Sequence, residues 1–138
     1  MSNSHTTWCH PKTILLYAII VAASWSVPAY AVDNLVSGKY FFSSETEIIL
    51  NISIPNPAPA NLIVEQHIAS GNEIISTSPQ ARKIDKAEGK VKWLFKKTKD
   101  GILSLSIKLK SPLSGDISAM VRYRSPQGGA FTELRITP

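Results

Sequence analysis

The chain has 138 residues, a formal charge of +5 and one cysteine, Cys9. That length suits a single domain. A lone cysteine, placed ahead of the first apolar run, excludes a disulfide framework and any metal site built on paired thiolates.

The first 31 residues read as a secretory leader. Lys12 precedes the apolar run Ile14 to Ala23, and Val27-Pro28-Ala29-Tyr30-Ala31 puts small residues at both positions of an A-x-A cleavage site. A basic start, a short apolar middle and a small-residue end form the signal-peptide pattern, predicted as a helix over residues 1–31. The competing reading is a retained membrane anchor, and a membrane is expected as a partner only through an uncleaved leader. Ser24, Ser26 and Pro28 interrupt the second half of the run, which favours cleavage after Ala31. The domain expected to remain is 32–138. It has no cysteine, which fits an exported, periplasmic or extracellular protein large enough to bury its own core without disulfides.

In the remainder, strands are predicted in order. Lys39 to Phe42 is a short first strand, after an edge or flexible segment from Val32 to Gly38. Glu47 to Ile54 alternates, with Ile48, Leu50, Ile52 and Ile54 on one side. Pro55, Pro57 and Pro59 mark a stiff loop, since proline supplies no ladder donor. Asn61 to Ile68 is the next strand, Gly71-Asn72 a turn, and Glu73 to Thr77 a strand rich in β-branched residues. Gln80 to Lys90 is polar and ends in a turn at Asp85 to Gly89. Val91, Trp93 and Phe95 then alternate with Lys90, Lys92 and Lys96, the period of a strand with one buried face. Lys99-Asp100-Gly101 is a turn. Strands follow at Ile102 to Lys110, Ile117 to Arg124 and, after Ser125 to Gly129, Ala130 to Thr137. Seven or eight short strands between turn signals, with no helical period, predict an all-β antiparallel sandwich of immunoglobulin-like type.

On these residues Glu45 to Lys110 resembles the conserved immunoglobulin-like repeat domain of bacterial surface and secreted proteins, a family of unknown function. That family runs strand, Asn-Pro/Gly loop, a strand ending in an Asp-x-Leu-Pro-x-Gly corner, a short strand, a Gly turn, a Trp strand and a Gly-led strand. Gly71, Gly89, Trp93 and Gly101 hold the matching places here, while Gln66 replaces the corner Asp and Ala69 the Pro. The resemblance implies a structural or adhesive spacer without catalytic residues.

The charge is uneven. Arg82 to Lys110 has ten Lys or Arg against Asp85, Glu88 and Asp100, a local +7, while the rest of 32–138 is −3. Lys92, Lys96, Lys97 and Lys99 are therefore the expected surface for an anionic partner, such as an acidic polysaccharide or an envelope protein. Outward lysines also keep a sheet soluble and discourage edge pairing. Phe131, alternating outward with Glu133 and Arg135, is the candidate glycan contact. His67 is the only histidine after the leader and is read as a surface residue. No nucleophile elbow, phosphate loop or calcium loop is present, so no cofactor, no metal and no enzyme activity is expected. Nucleic acid is not an expected partner. An open sheet edge could support an oligomer. Together these features predict a non-enzymatic exported module of the bacterial envelope, acting in adhesion, assembly or as a spacer, with carbohydrate binding as the alternative.

Overall fold

The structure is a computed structural model, and it describes residues 36–138. The predicted leader, 1–31, lies outside the described residues. Nine strands are present among them: β1 (Ser37–Ser44), β2 (Glu47–Ile54), β3 (Asn61–Ile68), β4 (Ile74–Ser78), β5 (Lys83–Asp85), β6 (Lys90–Lys96), β7 (Gly101–Leu109), β8 (Ile117–Arg124) and β9 (Phe131–Ile136). They form two antiparallel sheets, a four-stranded one ordered β1-β2-β7-β4 and a five-stranded one ordered β5-β6-β3-β8-β9. The all-β, two-sheet expectation is met, with more strands than the seven or eight expected.

The additional strand is β5. Its three residues hold one apolar side chain, Ile84, too short a stretch to show any period. It exists because β6 offers a free edge, onto which Lys83, Ile84 and Asp85 register opposite Lys92, Val91 and Lys90. The first strand is also longer than expected. Its pairing with β2 runs from Ser37↔Ser53 to Ser44↔Glu47, with a bulge between Phe42 and Ser44. Val36, Ser37 and Gly38 are correspondingly ordered, and Val36 is buried. Both departures have one cause, a neighbouring strand acting as template where the local sequence is weak.

The inward positions are those that alternation selects. Ile48, Leu50 and Ile52 from β2, Leu62 and Val64 from β3, Leu105 and Ile107 from β7, and Val121 from β8 are buried. Trp93 sits among them, 1 % exposed. Burying an indole removes roughly 200 Å² of largely apolar surface, worth about 5 kcal/mol gross. Its Nε1–H donates to the Pro79 carbonyl at 2.9 Å, which ties the connection between β4 and β5 to the core.

Gly89 holds the β5–β6 turn against β3. Its φ is +61° and any Cβ would run into the Ile68 carbonyl oxygen. The same approach lets the Ile68 N–H donate to the Gly89 carbonyl at 2.8 Å. Two polar groups in the core stay without a hydrogen bond, the Tyr40 hydroxyl and both amide atoms of Gln66. Burial pushes the Tyr40 hydroxyl above the usual phenol range.

Candidate functional site

The sandwich has two outer faces, and cross-strand register decides what each carries. On the five-stranded sheet Lys83 lies opposite Lys92, Lys92 opposite Glu65, Glu65 opposite Met120 and Met120 opposite Arg135. The next row reads Leu94, Ile63, Arg122, Glu133, and the one beyond it Lys96 and Asn61, then Arg124 and Phe131. On β3, β6 and β8 the residues of these rows from Ile63 to Glu65, Lys92 to Leu94 and Met120 to Arg122 alternate with buried residues and so point away from the core, and the β5 and β9 residues paired with them share that side of the sheet. Sequence order scatters them over more than seventy positions, and only the sheet gathers them.

The carboxylates of this face are already engaged. Lys92 Nζ lies 3.6 Å from Glu65 Oε2 and Arg122 Nε 2.8 Å from Glu133 Oε1. Exposed pairs of this kind contribute about 0–1 kcal/mol each. Lys83, Lys96, Arg124 and Arg135 form no ion pair among the described residues. The face therefore keeps a net positive field around a half-buried apolar strip of Ile63, Leu94 and Met120.

The four lysines singled out in the sequence separate into two places. Lys96, Lys97 and Lys99 surround a shallow hollow of about 310 Å³ at one end of the sandwich, with Phe95 and Ile102 in its wall. Lys92 lies instead on the sheet face, beside a groove of about 510 Å³ that it shares with Arg82, Lys83, Ile63 and Leu94. The loop carrying Lys97 is pinned. The Lys97 N–H donates to the Ala60 carbonyl at 2.7 Å, the Thr98 hydroxyl donates to the Pro59 carbonyl, and Lys97 has the left-handed φ of 55°.

Phe131 is exposed, but the Arg124 guanidinium stands 4.7 Å over its ring. Phe41 is covered in the same way by Lys39 at 5.5 Å. A third exposed aromatic, Phe42, has no cation over it among the described residues and stands at the mouth of a cleft. His67 is exposed and lines this cleft too.

The cleft lies at the end of the sandwich opposite Lys96. Its volume is about 660 Å³, and Phe42, His67, Leu113, Asp116, Ser118 and Arg135 are among its walls. Cavities of roughly 300–1,000 Å³ with a mostly apolar lining and a few convergent polar groups suit small ligands. One wall is the β7–β8 loop, clamped by a single side chain. The Asn72 amide donates to the Ala69 and Ser114 carbonyls at 2.8 and 2.7 Å, while its oxygen accepts from the Ser114 N–H at 3.0 Å. The Ala69 N–H donates to the Asp116 carbonyl at 3.0 Å, a bond that a proline at this position could not make. Gly115 (φ +82°) packs so closely that a Cβ would lie 2.6 Å from Ala69 Cβ. No group of three or more His, Cys, Asp or Glu gathers for a metal among the described residues.

Sequence reasoning missed this cleft because its walls come from four separate segments. The usable signal was Asn72 after Gly71, an amide placed to staple a turn to a distant loop.

No family model matches the chain. A protein of the archaeon Archaeoglobus fulgidus, described as an uncharacterized protein, is 29% identical over 129 residues, spanning 86% of this chain and 76% of its own length. Among solved structures, the collagen-binding domain from a Staphylococcus aureus adhesin is similar over 75% of this chain and 95% of its own, at 9% identity and a TM-score of 0.38, too loose a likeness to carry an argument.

Proposed function

We propose that this chain is a non-enzymatic, exported immunoglobulin-like module of a prokaryotic envelope, and that it engages an anionic partner through the outer face of its five-stranded sheet. The strand order supports the fold part of this reading. With the β5–β6 hairpin set aside, β1-β2-β7-β4 facing β3-β8-β9 follows the ABED and CFG order of a constant-type immunoglobulin sandwich. The added hairpin extends the second sheet and carries Trp93.

The observation that carries the binding part is the register that aligns Lys83, Lys92 and Arg135 in one row while leaving two of the three without a carboxylate partner. Such a face attracts polyanions and loses affinity as salt screens it. The expected result is retention on immobilised dextran sulfate or teichoic acid, none on neutral dextran, and elution with rising NaCl. Equal behaviour on charged and neutral polymer overturns the reading. Export is tested separately by the mass of the released protein, which is expected to begin at Val32.

Carbohydrate binding is the second reading, and one observation favours it: the uncovered Phe42 ring at the cleft mouth, a flat apolar platform of the kind sugar rings stack on.

A further inference from the structure

We infer that the cleft between the β7–β8 loop and β9 is a subsite for a carboxylate-bearing sugar, a uronic acid unit within a saccharide; this rests on the second reading above. The argument begins from two opposite charges. Asp116 and Arg135 both line the cleft, yet neither joins an ion pair among the described residues. An acceptor-only carboxylate and a donor-only guanidinium that line one cavity without pairing ask for a ligand that offers both complements.

A simple anion satisfies Arg135 and is repelled by Asp116. A neutral sugar satisfies Asp116 through its hydroxyls and leaves the guanidinium fork without a planar acceptor. A uronic acid supplies both, hydroxyl donors for Asp116 and a carboxylate for the bidentate geometry that arginine favours. Phe42 adds a face for the pyranose ring, and Ser118 and His67, paired across β8 and β3, add further polar groups to the lining.

The backbone that frames the site is held before any ligand arrives. The three Asn72 bonds and the Ala69 to Asp116 backbone bond fix the loop, and β9 pairing fixes Arg135 opposite Met120. A backbone frame fixed in advance lowers the part of the ordering cost of binding that the loop would otherwise carry. Arg135 belongs at once to the cleft and to the basic face, so a polyuronate strand could run from the cleft over Lys92 and Lys83.

The test is calorimetric titration of the purified protein with short oligomers of galacturonate, glucuronate-containing and mannuronate or guluronate saccharides, their methyl esters, neutral oligosaccharides and tetraglutamate. At least one uronate oligomer is expected to bind, with its methyl ester weaker by roughly tenfold or more, the loss expected for a bond to a charged group. R135Q is expected to abolish that difference between acid and ester. F42A is expected to weaken acid and ester alike, and F131A to change neither. Esters and neutral sugars binding as well as the acids would overturn the uronate assignment and leave carbohydrate binding standing. No saccharide binding at all would overturn both. Tetraglutamate matching the best uronate would show a general carboxylate site and also overturn the assignment.

Discussion

The two outer faces of the sandwich are built on the same core and differ in almost every other respect. Across the four-stranded sheet the register lines up Lys39, Asn51 and Ser104, then Phe41, Ile49 and Ser106, then Glu47 and Lys108. Asn51 Oδ1 accepts from the Ser104 hydroxyl at 2.7 Å, so the central polar pair of this face is satisfied within it. Across the five-stranded sheet, lysines and arginines outnumber the carboxylates that could neutralise them. The first face carries few charges and leaves Phe41 exposed, while the second carries an excess of cations. Solubility alone would have been served by spreading charge over both, so the asymmetry is the physical ground for placing a partner on one side.

The largest effect removes both faces together. Trp93→Ala is expected to destabilise the protein by about 3–5 kcal/mol through the cavity and lost transfer energy, read as a lower denaturation midpoint. Trp93→Phe keeps most of the volume and loses the bond to Pro79, so its cost is expected to be clearly smaller. If the two substitutions cost the same, the shared core is not organised around the indole.

Gln66 separates the core from the faces more finely. It is 1 % exposed with both amide atoms unpaired, on β3 between Val91 and Ala119. Gln66→Met replaces an unsatisfied amide with an apolar chain of similar length, and is expected to raise stability by about 1 kcal/mol. Polyanion retention should stay unchanged, because nothing on the outer faces moves.

Charge reversal then sets the faces directly against each other. The double substitution K83E with K92E is expected to weaken polyanion binding on the order of tenfold at low salt, with stability changed by about 1 kcal/mol or less since the Lys92–Glu65 pair is half-exposed and long at 3.6 Å. S104E with S106E on the opposite face adds the same type of charge and is expected to leave binding nearly intact. Equal losses from the two pairs would mean that net charge, not one face, sets the affinity.

How much of this was legible beforehand follows from what each feature depends on. Alternation exposes a strand whenever one face is buried, so β2, β6, β7 and β8 were readable residue by residue, Trp93 included. β5 and the ends of β1 were not, because they hold their place through pairing with a neighbour and carry no period of their own. The basic character of Arg82 to Lys110 was visible in composition. That Lys92 would part from Lys96, Lys97 and Lys99, and join Arg135 from β9, depends on sheet order, which no local pattern encodes. The cleft was hidden for the same reason, and Phe131 looked like the better platform because the covering Arg124 reaches it across the β8–β9 pair.

The smallest expected effect lies at the border of the quieter sheet, where β4 meets β7. The Lys110 ammonium donates to Glu73 Oε2 at 2.9 Å, and the Lys110 N–H donates to the Glu73 carbonyl at 2.9 Å. The side-chain bond and charge of Lys110 hold the Glu73 carboxyl below its ordinary value, with Lys86 adding a weaker pull in the same direction. A carboxyl depressed in the folded state contributes stability above its unfolded titration range, and loses it as the pH falls through the lower folded value. Lys110→Met should therefore lower the melting temperature slightly at neutral pH, and the gap to the parent should close on acidification. High salt should shrink the gap at neutral pH as well, because both side chains are exposed. A gap that persists at low pH would assign the effect to packing of the Lys110 stem, and the four-stranded side would then hold together without help from charge.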